Sequence, residues 1–151
     1  MKNIQSIIKT QKIYLIAALL LLFSTGISAQ KQTASNSSLI KATPAYAELL
    51  LRRAELESEV ESLLESYTEE FPKVKAAKYE LALVNKDLAR LLTQTDVSKL
   101  TLSLGKLLVR KNELETEYWM LQNQYDKEHP EVKRAQRKVL SFQKAIKEIL
   151  P

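Results

Sequence analysis

Residues 51–92 recur without a gap 58 positions later as residues 109–150, and fourteen of the 42 aligned pairs are identical. The identities include Arg52/Arg110, Glu55/Glu113, Leu56/Leu114, Leu63/Leu121, Tyr67/Tyr125, Glu70/Glu128, Pro72/Pro130, Val74/Val132 and Ala77/Ala135. Proline at the same place in each copy divides each into two segments, because it lacks an N–H and clashes with the preceding helical turn. The residues before it, Phe71 and His129, are pushed out of the α region, and the proline suits the first position of the next helix. A period of this length built from two helices suggests a repeated helical hairpin, with one kinked helix per copy as the alternative.

Apolar spacing supports helices throughout. Tyr46, Leu49, Leu56, Val60, Leu63 and Tyr67 fall on alternating three- and four-residue steps, with Arg53 filling one step. Val74, Ala77, Leu81, Val84, Leu88 and Leu91 continue the pattern after Pro72. The second copy supplies Leu100, Leu104, Leu107, Leu114, Tyr118, Leu121 and Tyr125, then Val132, Ala135, Val139, Phe142, Ile146 and Ile149. A sustained period of about 3.5 residues is the mark of coiled-coil packing. Arg53 and Lys111 occupy seam positions, where polar residues specify register at some cost in stability.

The expected fold is therefore all-α: two tandem antiparallel coiled-coil helical hairpins, four helices in a closed bundle or an extended pair. Hairpin repeat 1 spans 45–92, a connector 93–98, and hairpin repeat 2 spans 99–151, with Asp96 or Ser98 able to cap the third helix. Only two glycines occur, too few for strand hairpins.

Residues 1–29 carry Lys2, Lys9 and Lys12 and no acids, then the apolar run Ile13–Phe23 and small residues ending at Ala29. This is the pattern of a secretory signal peptide cleaved after Ala29; a retained membrane anchor is the alternative reading. Eleven apolar residues fall short of the roughly 20 needed to span a bilayer. Residues 30–44 are polar and expected to form a flexible leader. The expected location is periplasmic or secreted, with membrane contact only if the anchor is retained. The formal charge of +5 thus lies largely in the leading segment, which removes the main support for nucleic-acid binding. Absence of cysteine excludes disulfides and thiolate chemistry.

The segments Tyr67-Thr68-Glu69-Glu70-Phe71-Pro72-Lys73-Val74 and Tyr125-Asp126-Lys127-Glu128-His129-Pro130-Glu131-Val132 resemble a known punctuation. It is similar to the tyrosine followed by histidine-proline-x-valine between periplasmic coiled-coil helices of polysaccharide chain-length determinant and exopolysaccharide export proteins. The second copy matches better, since Phe71 stands where the pattern has histidine. The resemblance implies hairpin geometry and an envelope compartment. It covers about ten residues in each copy plus the flanking heptads, and the membrane-flanked domain and kinase module of those proteins are missing here.

Candidate sites are few. Tyr67, Pro72, Tyr125 and Pro130 read as structural turn residues. His129 has no positioned catalytic or metal-binding partners and reads as a loop residue before a helix-starting proline. Glu57, Glu61 and Glu65 form a mutually repelling stripe, whereas Lys133, Arg134, Arg137, Lys138, Lys144 and Lys147 make the last helix basic. An acidic first helix could pair with this basic fourth helix. Candidate partner-binding residues are Trp119, Arg134, Arg137 and Lys138; Trp119 reads first as a core-edge residue, with a partner-binding spot as the alternative. No catalytic, cofactor or metal set is recognisable. The expected function is that of an exported, non-enzymatic structural or interaction protein of the bacterial envelope, with protein partners and homo-oligomerisation. A periplasmic holdase-like chaperone or an accessory factor in polysaccharide export are the alternatives.

Overall fold

Proline opens three of the four long helices. A computed structural model describes residues 36–150; the expected signal segment, its cleavage site and the first part of the leader lie outside the described residues. The long helices are α1 Pro44–Leu64, α2 Pro72–Leu92, α3 Leu102–Gln124 and α4 Pro130–Ile149, with a 3-10 turn at Val97–Lys99. The described chain is all-helical, without strands.

Local chemistry accounts for the boundaries. Phe71 (ψ 131°) and His129 (ψ 135°) are extended, as a residue before proline must be, so each preceding helix stops and the proline restarts the chain. The turns match in detail. Tyr67 stacks on Phe71 with ring centroids 4.0 Å apart, and Tyr125 stacks on His129 at 4.2 Å. Phe71 N donates to Thr68 O and His129 N to Asp126 O, while Glu70 pairs with Lys75 and Glu128 with Lys133. A duplicated sequence has here produced a duplicated structure.

Two boundaries differ from the sequence expectation. The leader expected over 30–44 is not unstructured in its second half: residues 37–41 are helical, and Ile40 is wholly buried in the core. Thr43 closes that turn by donating to Ile40 O (2.7 Å) and caps α1 by accepting from Tyr46 N. A buried isoleucine contributes roughly 1.5–3 kcal/mol toward holding this short turn, alongside its two hydrogen bonds. The third helix begins at Leu102, not 99, because Asp96 caps the 3-10 turn by accepting from Ser98 N. Leu100 then turns inward, its carbonyl accepting from Ala45 N, and Thr101 becomes the cap of α3.

Packing follows the repeat. α1 packs on α2 and α3, α3 also packs on α2, and α4 packs on α3. Rising along α2 from Tyr79 to Asp87 means descending α3 from Trp119 to Lys111, so these two helices are antiparallel. α3 and α4 are antiparallel too, through Glu117–Lys138 and Glu115–Gln143. A continuous core joins Ala45, Leu49 and Leu56 of α1 with Val84, Leu88 and Leu91 of α2, Leu104 and Leu108 of α3, and Ile146 with Leu150 at the chain end. Almost every seam residue named from the sequence is buried or half-buried; Tyr67 and Tyr125 are exposed, because each leaves its helix to stack in a turn.

Candidate functional site

Among the described residues, the buried carboxylates lie between helices. Glu80 and Asp87, seven residues apart on α2, are both buried. Arg52 of α1 donates through Nε to Glu80 Oε1 at 2.7 Å, and Lys111 of α3 donates through Nζ to Asp87 Oδ2 at 2.8 Å. The hydrogen bond it donates to Glu80 holds the Arg52 guanidinium above its ordinary pKa, against the opposing effect of burial. Glu115 approaches Lys111 at 3.8 Å and accepts from Gln143 of α4 at 2.8 Å. These contacts tie four helices together with charge placed where an unpaired ion would be costly. Sequence spacing had identified Lys111 as a seam residue; its partner Asp87, and Glu80, were missed. Their signal was the heptad separation of two acids beside the α2 seam.

Each proposed partner-binding residue has a defined place. Trp119 is half-buried and stacks on Tyr79 of α2, with centroids 4.8 Å apart and planes inclined by 11°. Burial, and then the charge of Glu115, raise the pKa of the Tyr79 hydroxyl. Arg134, Arg137 and Lys138 are exposed on α4; Arg134 pairs with Glu131 at 3.0 Å and Lys138 with Glu117 of α3 at 3.4 Å. Trp119 and the α4 cations do not form one cluster through any of these contacts. The basic fourth helix meets α3 rather than the acidic α1, whose Glu55 and Glu57 pair with Arg52 and Arg53 of their own helix. The repeat places α1 beside α3, so α3 supplies the carboxylates that α4 reaches.

A groove between α2, α3 and α4 has the Asp87–Lys111–Glu115 cluster in its lining, with Leu83, Ile146 and the cations Lys86, Arg90 and Lys147 around it. Its apolar and basic lining could receive an anionic group, but its inner charges already satisfy one another. A second, polar groove at the α3–α4 turn includes Tyr125, Asp126, Glu128 and His129. The His129 ring there accepts from Glu131 N through Nδ1 while stacking on Tyr125, so its imidazole is engaged in building the turn. Among the described residues no group of three or more His, Asp or Glu side chains is placed to hold a metal ion, and no helix is long and apolar enough to cross a membrane.

Comparison with protein-family models, curated proteins and solved structures returns no match. The candidate site therefore stands on its own geometry.

Proposed function

We propose that the chain is an exported, non-enzymatic interaction module of the bacterial envelope, built as two tandem antiparallel coiled-coil hairpins. The observation that carries this reading is the use made of the polar groups. Glu80, Asp87, Lys111 and Glu115 are engaged in ion pairs between or along helices, and His129 is engaged in a turn. Side chains set aside for chemistry would need a free nucleophile, base or metal-ligand set aimed at a common point. Recognition by such a scaffold falls to helix faces, including the basic outer face of α4 and the exposed leucines of α1.

Export rests on the order of Lys2, Lys9 and Lys12, the apolar run Ile13–Phe23 and the small residues ending at Ala29. The chaperone alternative calls for an apolar cavity, whereas the groove between α2, α3 and α4 is rimmed by Lys86, Arg90 and Lys147.

The test is affinity capture from envelope fractions, with the mass of the purified protein measured alongside. A chain lacking residues 1–29 and one stoichiometric protein partner support the proposal. Many unfolded clients would replace it with the chaperone reading, and co-purification with inner-membrane assembly components with the export-accessory reading. A cytoplasmic, full-mass protein would refute export.

A further inference from the structure

The two copies of the repeat do not bury the same surfaces, and the difference exposes one face of α1. On α3, Gly105, Leu108, Asn112 and Thr116 form a buried stripe, and Gly105 lies directly against Ala45 and Glu48 of α1. The equivalent residues 58 positions earlier are Ala47, Leu50, Ala54 and Ser58, all exposed. Leu51, next to them, is 58% exposed and Leu50 38%. The second copy is thus covered here by the first, while no described element covers the first.

The other end of the stack is built differently. The α1 residues turned toward α3 are Ala45, Glu48 and Arg52; their counterparts on α3 are Ser103, Lys106 and Arg110, all exposed. Continuing the stack head to tail would press the Lys106 cation and the Arg110–Glu113 ion pair onto Leu50 and Leu51, at a desolvation cost. A polar outer face is what ends a repeat array. One end is closed by charge and the other is open and apolar, so two copies can hide their open ends only by joining them to each other. Such an isologous contact closes after two chains.

The charges on α1 set its direction. Its outer face is uncharged from Ala47 to Ala54 and acidic beyond, with Glu61 and Glu65 exposed. Parallel helices would set each of these glutamates beside its own copy, an unfavourable like-charge contact. An antiparallel pair with its axis between Leu50 and Leu51 sets Ala47 opposite Ala54 and draws Glu61 and Glu65 of each chain away from their own copies.

We propose that the protein forms a two-fold dimer in which α1 packs antiparallel on α1 of a second copy through Ala47, Leu50, Leu51 and Ala54. This deepens the interaction-module reading and rests on it only for purpose, since dimerisation is measured on the isolated protein. Sedimentation of the purified full chain across a concentration series should show a monomer–dimer equilibrium. Leu51→Glu should weaken the dimer at least about a hundredfold, because the two-fold introduces each buried charge twice. Its helical circular dichroism should be unchanged, since Leu51 is exposed in the single chain. Lys106→Glu/Arg110→Glu should leave the dimer intact. Because the chain has no cysteine, a mixture of Ala47→Cys and Ala54→Cys proteins should give the mixed disulfide in preference to either self-linked species. A protein that stays monomeric at every concentration overturns the proposal. Loss of the dimer in the Lys106/Arg110 variant would do so too, as would self-linked disulfides alone. If Leu51→Glu abolishes the dimer yet still captures an envelope partner, the dimer and the interaction reading are separated.

Discussion

Gly105 approaches Ala45 so closely that a β-carbon at position 105 would lie 3.0 Å from the Ala45 Cα, 3.2 Å from its carbonyl oxygen and 2.8 Å from the Glu48 Cβ. This contact sets the distance between α1 and α3, the two helices that the repeat makes equivalent. Glycine in a helix interior costs up to about 1 kcal/mol relative to alanine. Gly105→Ala should nonetheless destabilise, because the obstacle is backbone and a β-carbon rather than a flexible side-chain end, and overpacking costs about 1–3 kcal/mol. The reciprocal change Ala47→Gly, at the exposed equivalent position, should also destabilise, by at most about 1 kcal/mol through propensity alone. Urea midpoints of the two variants decide the matter: a Gly105→Ala protein more stable than wild type would show that α1 and α3 are further apart.

Lys111 and Asp87 are the most deeply buried of the inter-helix ion pairs among the described residues, with side chains 13% and 5% exposed. Lys111→Met leaves the Asp87 carboxylate desolvated and without its cation, and should cost about 3 kcal/mol. Replacing both, as Lys111→Met/Asp87→Leu, should recover most of that loss, since a well-packed apolar pair is often as good as a buried salt bridge. Equal stability of the single and double variants would mean that Asp87 finds another partner or water.

Asn112 occupies the same buried stripe as Leu108, yet is 0% exposed with neither amide atom hydrogen-bonded. Its equivalent in the first copy is Ala54, on the outside. Removing an unpaired buried amide removes its desolvation penalty, about 1–3 kcal/mol, which offsets the cavity left behind. Asn112→Ala should therefore change stability by less than about 1 kcal/mol, whereas Leu108→Ala, one turn earlier, should cost about 2–5 kcal/mol. Comparable losses in chemical denaturation would assign Asn112 a stabilising contact in solution.

These three sites mark where sequence reading stopped. The seam was legible because a period of about 3.5 residues places one apolar stripe on each helix, and Leu49, Leu56, Val84, Leu88, Val132 and Val139 are buried accordingly. The period describes a helix with one neighbouring seam. α3 has three neighbours, and Gly105, Leu108, Asn112 and Thr116 lie outside its seam, so their burial followed from α1 stacking beside α3. The pairing of Glu80 and Asp87 depended on the same arrangement, since glutamate and aspartate on a helix ordinarily read as solvent-facing. The duplicated turn was legible in outline from Pro72 and Pro130. The aromatic stacks across it were not, because four-residue contact between Tyr67 and Phe71 outside a helix has no periodic signature.

Those turns also carry a duplicated pH effect. Lysine hydrogen bonds, and then lysine charge, hold Glu70 and Glu128 below the ordinary glutamate pKa, through Lys75 and Lys133 respectively. A carboxyl lowered on folding contributes stability that is fully present above its unfolded value, about 4.3, and is lost as pH falls through the lowered folded value. Both groups are fully exposed, so the contribution is small and screened by salt. The duplication makes it separable. In an NMR-detected titration at low salt, Lys75→Met should return Glu70 to the ordinary range and leave Glu128 low, and Lys133→Met should do the reverse. As pH falls through the lowered folded values the melting temperatures of wild type and the Lys75→Met/Lys133→Met double variant should converge, and high salt should shrink their difference at neutral pH. If Glu70 titrates identically with and without Lys75, the ion pair does not hold the first turn in solution, and the Tyr67–Phe71 stack, the Phe71 N to Thr68 O hydrogen bond and the Lys78–Glu69 pair hold it without that contact.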